Sequence, residues 1–365
     1  MVINKRWFRV LLFLIMFFLL ILLMNATKFV FVPFIQYLGA VAFPIIGAGI
    51  LYYLTKPLMH FLEKRKVHRI VSIIIIFITI IVVAALFLLF IWPIARDQSI
   101  NLFESIPTMI VAVENFIDYW QEHYTLIPDA VLDPIISFTD ELPTHIETVV
   151  NYLFGFIGGF IGQVISIAAG LVLIPFFLFF MLKDGDKLVP FITHIFKKKK
   201  ADNIRSLLGK LDAVLGSFIQ GQLIVSFVVG VLLLIGYLII GLDYAVALAL
   251  FGMVTNVIPY LGPFLAVTPA LIVGGIQDPY NLIWVSIIMI VAQQFESNIV
   301  SPNVMGQALN LHPLTIITVI LAAGSIAGFI GIVFAVPAYA VIRTIIVHFY
   351  DTYVDSKKNK EDALI

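Results

Sequence analysis

The stretch QQFESNIVSPNVMGQALNLHP, residues 293–313, places one carboxylate, Glu296, inside a long apolar region. Between Asp278 and Arg343, Glu296 is the only Asp, Glu, Lys or Arg. A charge held at membrane depth costs at least about 2.5 kcal/mol on insertion scales, so such a residue usually faces the interior of a helix bundle or a water-filled cavity. The stretch therefore predicts a membrane-embedded helical bundle with a polar site at Glu296.

Carboxamides surround this carboxylate at helical spacing. Gln293 precedes Glu296 by one helical turn, and Gln294 and Asn298 are four residues apart. A helix therefore gathers these side chains near the carboxylate, and Pro302 is predicted to end that helix. The candidate substrate- or ion-binding residues are Glu296, Gln293, Gln294, Asn298, Asn303 and Gln307, together with Asn256 near a second predicted break.

The composition assigns the chain to the integral membrane proteins. Hydrophobic residues make up 61% of it and charged residues 12%, whereas soluble domains carry about 25% charged residues. The predicted fold class is therefore all-α and polytopic. There is no Cys, which removes disulfides and thiolate metal sites. We predict no catalytic residue, no metal and no cofactor, although transport could be coupled to protons or sodium. We also predict no nucleic acid partner, since the basic residues lie in loops beside the spans.

Uncharged runs give the predicted organisation, since a helix needs about 20 apolar residues to cross a bilayer. Such runs occur at 10–24, 29–55, 70–95, 148–182 and between Asp212 and Asp243. The first run is expected to be a retained span rather than a signal peptide. We predict a three-span region at 1–96, an extracytoplasmic segment at 97–147, a fourth span at 148–182, a basic loop at 183–212, a transport region with broken helices at 213–348 and a tail at 349–365.

The loop charges predict the orientation. Residues 183–212 carry eight Lys or Arg against four Asp, and residues 56–69 are also basic, so both are expected in the cytoplasm, as are both termini. Residues 97–147 contain ten Asp or Glu and no Lys or Arg, which predicts an external segment. Apolar residues recur at helical spacing from Leu102 to Trp120, as in an amphipathic helix. This helix lies on the membrane surface or on a partner subunit, or it forms a small packed outer cap.

Two further uncharged segments contain helix-breaking residues. Each half of 244–277 and of 314–348 is too short to cross a bilayer, so each segment is either a re-entrant hairpin or one broken crossing, and we favour hairpins. Broken helices in the second half of a membrane protein are a pointer to a transporter site. The predicted break positions are Pro259, Gly262, Pro263, Pro302, Gly306, Pro313, Gly324, Gly328 and Pro337.

The motifs from Thr255 to Ala340 resemble the autoinducer-2 exporter family of bacterial membrane proteins. The resemblance is carried by NVIPYLGP at 256–263, by Gln294, Glu296, Asn298, Pro302 and Gly306, by LHPL at 311–314, and by Gly324, Gly328, Gly331 and Pro337. It implies a transporter of about eight spanning segments in the bacterial plasma membrane, expected to be a homo-oligomer. Some members of the family are associated with autoinducer-2 export, and others resemble exchangers of sodium or lithium for protons.

Three functions are compatible with these observations. The first is a secondary or facilitative transporter that exports a small polar solute similar to autoinducer-2. The second is a sodium or lithium/proton antiporter, in which Glu296 alternates between a proton and the cation. The third is a non-transporting membrane scaffold or receptor that uses the segment 97–147 to bind a partner. The expected partners are accordingly a small polar solute or a monovalent cation, together with the lipid bilayer.

Overall fold

The computed structural model describes residues 6–123, 168–305 and 312–362, and all regular structure within these ranges is helical. Two π-helical turns, Phe87–Ile91 and Glu296–Val300, interrupt the α-helices. The α-helices are α1 (Arg6–Ala26), α2 (Lys28–Lys64), α3 (Arg69–Leu86), α4 (Trp92–His123), α5 (Ala168–Thr193), α6 (Lys198–Ile239), α7 (Ala245–Thr255), α8 (Leu261–Gln277), α9 (Asn281–Phe295), α10 (Ser301–Met305) and α11 (Pro313–Asp362).

The described ranges contain five helical stretches that are long and apolar enough to cross a membrane, or six if the bent pair formed by α1 and the start of α2 counts as one span. The all-α polytopic fold is thereby confirmed. The structure describes the predicted fourth span only from residue 168 onward, so the count of about eight spans stays a prediction. The five stretches are Val41–Lys64, Arg69–Ser105, Lys198–Ile239, Asn281–Val304 and Pro313–Val354.

Helices α2, α3 and α5 form an N-terminal packing unit. Its core contains Ala48, Ile73 and Leu178, which are fully buried or nearly so. At one end of this unit the guanidinium of Arg69 donates two hydrogen bonds to the carbonyl oxygen of Leu182, at 2.9 and 2.7 Å. The charged side chain of Arg69 thus bonds a carbonyl at the end of the apolar part of α5, which joins α3 to α5.

Helix α4 continues from α3 through the first π-helical turn and extends to His123. The structure thus confirms a helix over most of the predicted amphipathic stretch. Its first part packs on α7: the Ala247 N–H donates to Gln98 Oε1 at 3.1 Å, and the Tyr244 hydroxyl donates to Ser105 Oγ at 3.3 Å. Residues 124–167 lie outside the described residues, so the surface, partner and cap interpretations of 97–147 remain open.

The segment 244–277 is a re-entrant hairpin made of α7 and α8. Its two ends lie side by side, because the Asp243 N–H donates to Gln277 Oε1 at 3.0 Å and Gln277 Nε2 donates to the Gly241 carbonyl at 2.8 Å. The chain therefore enters and leaves this hairpin at the same end of the bundle. We call α7 and α8 with their connecting turn, residues 256–260, the first hairpin.

The first hairpin has a closely packed tip. A Cβ atom at Gly262 would overlap the carbonyl oxygen of Thr255 and lie 2.7 Å from the Cα atom of Asn256. Pro259 lies in the turn, as predicted, while Gly262 and Pro263 lie in the first turn of α8. Pro is tolerated there because the first N–H groups of a helix have no intrahelical acceptor.

Helix α11 is also a hairpin, because it reverses at Ala327 and Gly328. Gly328 has φ 58° and ψ −138°, a conformation that essentially only glycine adopts. A Cβ atom at Gly324 would lie 2.9 Å from a side-chain carbon of Ile332, eight residues away. Residues eight apart in a continuous helix are separated by about 12 Å, so the two halves pack against each other. We call α11 the second hairpin.

Three predicted breaks are wrong, those at Pro302, Gly324 and Pro337. The chain stays helical through Pro302 to Met305, because the preceding π-helical turn changes the hydrogen-bond register: the Ser301 N–H donates to the Glu296 carbonyl, five residues back. The widened turn accommodates a proline ring that would otherwise clash with the helix. Gly324 lies inside the first half of α11, where the lack of a side chain lets Ile332 pack closely, and Pro337 lies inside the second half. The reversal occurs between them at Gly328, which is one of the predicted break positions. Pro313 begins α11, and Gly306 lies outside the described residues.

The C-terminal helices share a second core, in which α6 packs against the first hairpin and α9. Leu233, Tyr237, Leu248, Ala270 and Val285 are at most 2% exposed. A third cluster joins α6 and the tip of the first hairpin to both halves of the second hairpin through Phe218, Ile258, Ile316 and Val336. The two hairpins are therefore held side by side, and the space between them is the candidate site.

Candidate functional site

A cavity of about 750 Å³ lies where the tip of the first hairpin, the second π-helical turn, α6 and the second hairpin meet. Its wall is mostly apolar and aromatic, with a group of carboxamides and one carboxylate. The lining residues are Phe218, Gln222, Asn256, Pro259, Tyr260, Pro263, Phe264, Val267, Met289, Ile290, Gln293, Gln294, Glu296, Ser297, Ser301, Pro302, Ile316 and Val336.

Among the residues that the structure describes, Glu296 is the only charged one that lines the cavity. Its Oε2 accepts hydrogen bonds from Gln293 Nε2 at 3.1 Å and from Asn256 Nδ2 at 3.4 Å. Gln293 lies on the same helix, whereas Asn256 comes from the tip of the first hairpin, 40 residues earlier. Two separate elements therefore converge on one carboxylate, which is the arrangement that the sequence predicted for Gln293 and left undecided for Asn256.

The second π-helical turn begins at Glu296 itself. A π-helical turn leaves backbone carbonyls without their usual α-helical donors and often occurs at functional sites. Within this turn the carbonyl of Ile299 accepts a side-chain hydrogen bond from Asn303 Nδ2 at 2.6 Å. The carboxylate therefore lies where the backbone hydrogen-bond register changes.

Gln222 on α6 is a functional candidate that the sequence did not reveal. It is only 6% exposed, and its Nε2 donates to the backbone carbonyl of Asn256 at 2.7 Å. Because an unpaired buried carbonyl is costly, this bond holds the tip of the first hairpin against α6 and fixes the position of Asn256. The only available signal was a carboxamide at the start of the apolar part of α6, and Gln220 gives the same signal two residues earlier.

The remaining candidates are divided between the cavity and the surface around it. Gln294 lines the cavity, and its Oε1 accepts from Asn298 Nδ2 at 2.8 Å. Asn298 and Asn303 are exposed and do not line the cavity. Gln307 lies outside the described residues. The structure therefore brings four of the seven candidates, namely Asn256, Gln293, Gln294 and Glu296, to one cavity.

The sequence matches the family model described as "AI-2E family transporter" over residues 11–351. The chain belongs to this family of membrane transporters. It is 35% identical over 338 residues to "Putative transport protein YueF" of Bacillus subtilis (strain 168), which covers 89% of each chain. It is 29% identical over 323 residues to "Putative transport protein YrrI" of the same organism, covering 87% of this chain and 89% of the relative. "Putative permease PerM" of Escherichia coli (strain K12) is 25% identical over 282 residues, covering 75% of this chain and 76% of the relative.

In this AI-2E family transporter, an aromatic residue with an unusual backbone stands beside the cavity. Tyr260 has φ 63° and ψ −42° and precedes the first residue of α8. A positive φ is costly for a residue with a large side chain and persists only where the surrounding structure holds it. With Phe218 and Phe264, Tyr260 forms an aromatic part of the wall next to the polar group. The combination of apolar wall and few polar groups is typical of a small-molecule site.

The ligand chemistry of the cavity is that of oxygen atoms and amide donors. Across the ranges that the structure describes, no group of three or more His, Cys, Asp or Glu is arranged to hold a metal ion. A carboxylate, a carboxamide oxygen and backbone carbonyls are ligands that suit hard cations. The same set, with amide N–H donors added, hydrogen-bonds hydroxyl groups. The arrangement can therefore bind either a polar solute or a monovalent cation.

Proposed function

We propose that this transporter exports a small polar solute, either down its gradient or driven by one, through the cavity between the two hairpins. The observation that carries the proposal is the convergence of Asn256, Gln293 and Glu296 on one cavity lined by apolar and aromatic residues. The volume of about 750 Å³ lies within the range of about 300–1,000 Å³ that small-molecule sites occupy. The sequence contains no phosphate-binding loop of the Gly-x-x-x-x-Gly-Lys-Ser/Thr type, which is why the proposal names a gradient and not ATP as the driving force.

The solute class follows from the polar groups. A carboxylate accepts hydrogen bonds from hydroxyl groups, and the carboxamides both donate and accept. Such a set suits a small polyhydroxylated molecule, and autoinducer-2 is one of this kind. We propose an autoinducer-2-like cargo on this chemistry and on the resemblance of the motifs at 256–263 and 293–314 to the exporter family.

The two hairpins support an outward direction of transport. With the N-terminus in the cytoplasm, the first hairpin enters from outside, while the segment 302–313 and the C-terminus lie inside. The cavity is lined by Ser301 and Pro302, just before that segment. It therefore lies toward the cytoplasmic side, where an exporter takes up its cargo. We propose this orientation in the bacterial plasma membrane, in a homo-oligomer.

A sodium or lithium/proton antiporter is the second candidate. It is favoured by one observation, that no other charged residue in the described part of the chain lines the cavity beside Glu296. An embedded carboxylate that binds either a proton or a cation provides the simplest exchange site. Carbonyls released by the π-helical turn and the oxygen of a carboxamide would then complete the cation's ligands.

The purified full chain in liposomes separates these candidates. A pH dye inside reports proton movement when a sodium or lithium gradient is imposed, and counterflow of autoinducer-2 is measured on the same preparation. The variants are Glu296→Gln, which removes the charge at nearly constant shape, and Asp278→Asn as the matched control. Asp278 is exposed at the end of the first hairpin, away from the cavity.

The solute exporter predicts counterflow that Glu296→Gln weakens and Asp278→Asn leaves unchanged, with no cation-dependent proton flux. A cation-dependent proton flux that disappears only in Glu296→Gln identifies the antiporter instead. Absence of both activities from folded protein contradicts the proposal and favours the scaffold or receptor.

A further inference from the structure

A second cavity, of about 490 Å³, lies between α2 and α6, away from the transport cavity. Three basic side chains of α2 line it, Lys56, His60 and Lys64. They follow one another at intervals of four residues and therefore form one stripe along the helix. The opposite wall is α6, which contributes Asp212 and Gly216. We call this space the basic cavity.

The single carboxylate of the basic cavity is already paired. Asp212 Oδ2 accepts from Lys56 Nζ at 2.8 Å, and Oδ1 accepts from the Tyr53 hydroxyl at 3.1 Å. Lys56 therefore compensates Asp212. Lys64 has no carboxylate partner among the residues that the structure describes. The stripe thus retains positive charge at its Lys64 end.

His60 has one ring nitrogen free for a ligand. Its Nδ1 lies 2.8 Å from the carbonyl oxygen of Lys56, so Nδ1 carries the proton and donates to that carbonyl. In that tautomer the Nε2 atom is an acceptor, and it donates only when the ring is an imidazolium. Lys64 therefore supplies the ammonium donors of the basic cavity, and the imidazolium form of His60 adds one more.

An apolar stripe adjoins the basic one on the same helix. Leu54, Pro57 and Phe61 follow at intervals of three and four residues and are exposed, with Leu54 46% and Phe61 51% exposed. Pro57 and Phe61 also line the basic cavity. An occupant that has a negative head group and a hydrocarbon part is complementary to both stripes at once.

We propose that the basic cavity binds the phosphate group of an anionic phospholipid, whose acyl chains lie along the apolar stripe of α2. Basic pockets between membrane helices on the cytoplasmic side bind anionic head groups, and the positive-inside distribution places residues 56–69 on that side. The phosphate contacts Lys64 and His60, at the end of the stripe that is farther from Asp212. Lys56 keeps its ion pair with Asp212.

This lipid lies at the junction between the N-terminal unit and the transport region. The junction is made by the Lys56–Asp212 ion pair, by the Tyr53–Asp212 bond and by Gln220 Nε2, which donates to the Tyr53 carbonyl at 2.8 Å. A Cβ atom at Gly216 would lie 3.2 Å from the Tyr53 ring, so the helices are in close contact there. A lipid bound beside these contacts bridges α2 and α6 and stabilises their packing.

The test uses the purified, delipidated full chain in neutral detergent. Phosphatidylglycerol or phosphatidylcholine is titrated in, and bound lipid is counted by native mass spectrometry. The variant is Lys64→Gln, and the matched control is Lys210→Gln, which removes an exposed lysine on α6 that does not line the basic cavity. Because one basic residue near an anionic surface contributes about 1 kcal/mol, Lys64→Gln is expected to weaken phosphatidylglycerol binding about fivefold.

The expected result is preferential binding of phosphatidylglycerol by the native chain and by Lys210→Gln, weaker binding by Lys64→Gln, and still weaker binding when His60→Gln is added. Equal binding by Lys64→Gln and Lys210→Gln overturns the proposal. Glycerol 1-phosphate is tested as a water-soluble competitor at the same concentration. If it displaces the lipid fully, the cavity binds soluble phosphate esters and the lipid assignment is wrong.

Discussion

Replacing Gly262 by alanine is expected to destabilise the protein, although Gly262 lies in a helix, where alanine is intrinsically the better residue. The new Cβ atom would overlap the carbonyl oxygen of Thr255 and lie 2.7 Å from the Cα atom of Asn256. Both are backbone atoms, so neither can move away by a change of rotamer. The tip of the first hairpin has to open to accept the methyl group.

The magnitude follows from two opposing contributions. Alanine gains about 1 kcal/mol over glycine inside a helix, whereas forcing an additional carbon into a packed site costs about 1–3 kcal/mol. Opening the tip also strains the hydrogen bond from the Gly262 N–H to the Ile258 carbonyl, now 2.9 Å. Because the new carbon meets backbone atoms, the cost lies in the upper part of that range, about 2–3 kcal/mol. Subtracting the gain of about 1 kcal/mol leaves an expected net loss of about 1–2 kcal/mol.

Gly209→Ala is the matched control. Gly209 is exposed in α6, and no atom lies within 4 Å of the position that its Cβ would take. The helix propensity therefore acts alone, and this variant should be more stable by about 1 kcal/mol. The same chemical change is thus expected to have opposite signs at the two positions.

The assay is thermal unfolding of the purified protein in one detergent at one scan rate, because unfolding of such proteins is usually irreversible and the midpoint depends on the rate. For a chain of this size, 1 kcal/mol corresponds to roughly 2 °C. Gly209→Ala should raise the midpoint by about 2 °C and Gly262→Ala should lower it by about 2–4 °C. A midpoint for Gly262→Ala at or above the native value would show that the tip is not closely packed.

Two further predictions concern buried and half-exposed polar contacts. Gln222→Leu removes the donor to the Asn256 carbonyl. An unsatisfied buried acceptor costs about 1–3 kcal/mol, so the unfolding midpoint should fall. An unchanged midpoint would mean that water replaces the bond. Asp212→Asn removes the charge that pairs with Lys56, and because both groups are partly exposed the loss should stay below about 1 kcal/mol, which the same unfolding assay measures.

Much of the site was predictable from Glu296, because a lone carboxylate in an uncharged membrane region needs hydrogen-bond partners to offset the cost of its burial. The neighbouring carboxamide of Gln293 is one of these partners. The second partner, Asn256, is brought in by the return of the chain at the first hairpin. Sequence spacing cannot reveal that approach, since 40 residues separate the two side chains.

The prolines show why local rules fail in this fold. Pro302 was predicted to end a helix because it lacks an N–H, but a π-helical turn just before it removes the conflict. Gly324, Gly328 and Pro337 were all predicted as breaks, and the chain reverses only at Gly328, where the backbone conformation requires glycine. The sequence shows which residues weaken a helix, while the tertiary contacts decide where it breaks.

Amino-acid composition could not decide whether the segment 244–277 is a hairpin or a broken crossing, because the answer depends on tertiary contacts. Gln277 binds both the Asp243 N–H and the Gly241 carbonyl, which places the two ends of the segment together. Gln222 remained unnoticed for a similar reason. Gln220 and Gln222 are both carboxamides of α6, and only the packed structure shows that Gln222 donates to the Asn256 carbonyl while Gln220 donates to the Tyr53 carbonyl.

The most direct test of transport through the cavity uses the absence of cysteine from this chain. Ser297 lines the cavity, whereas Ser206 is exposed on α6 outside it. Each serine is replaced by cysteine in turn, and the variant is labelled with N-ethylmaleimide until the intact mass shows complete labelling. The labelled protein is then assayed in liposomes for the transport activity of the native protein. If cargo passes between the hairpins, labelled Ser297→Cys loses transport, cargo slows its labelling, and labelled Ser206→Cys transports normally. Full transport by completely labelled Ser297→Cys would show that the cargo takes another path.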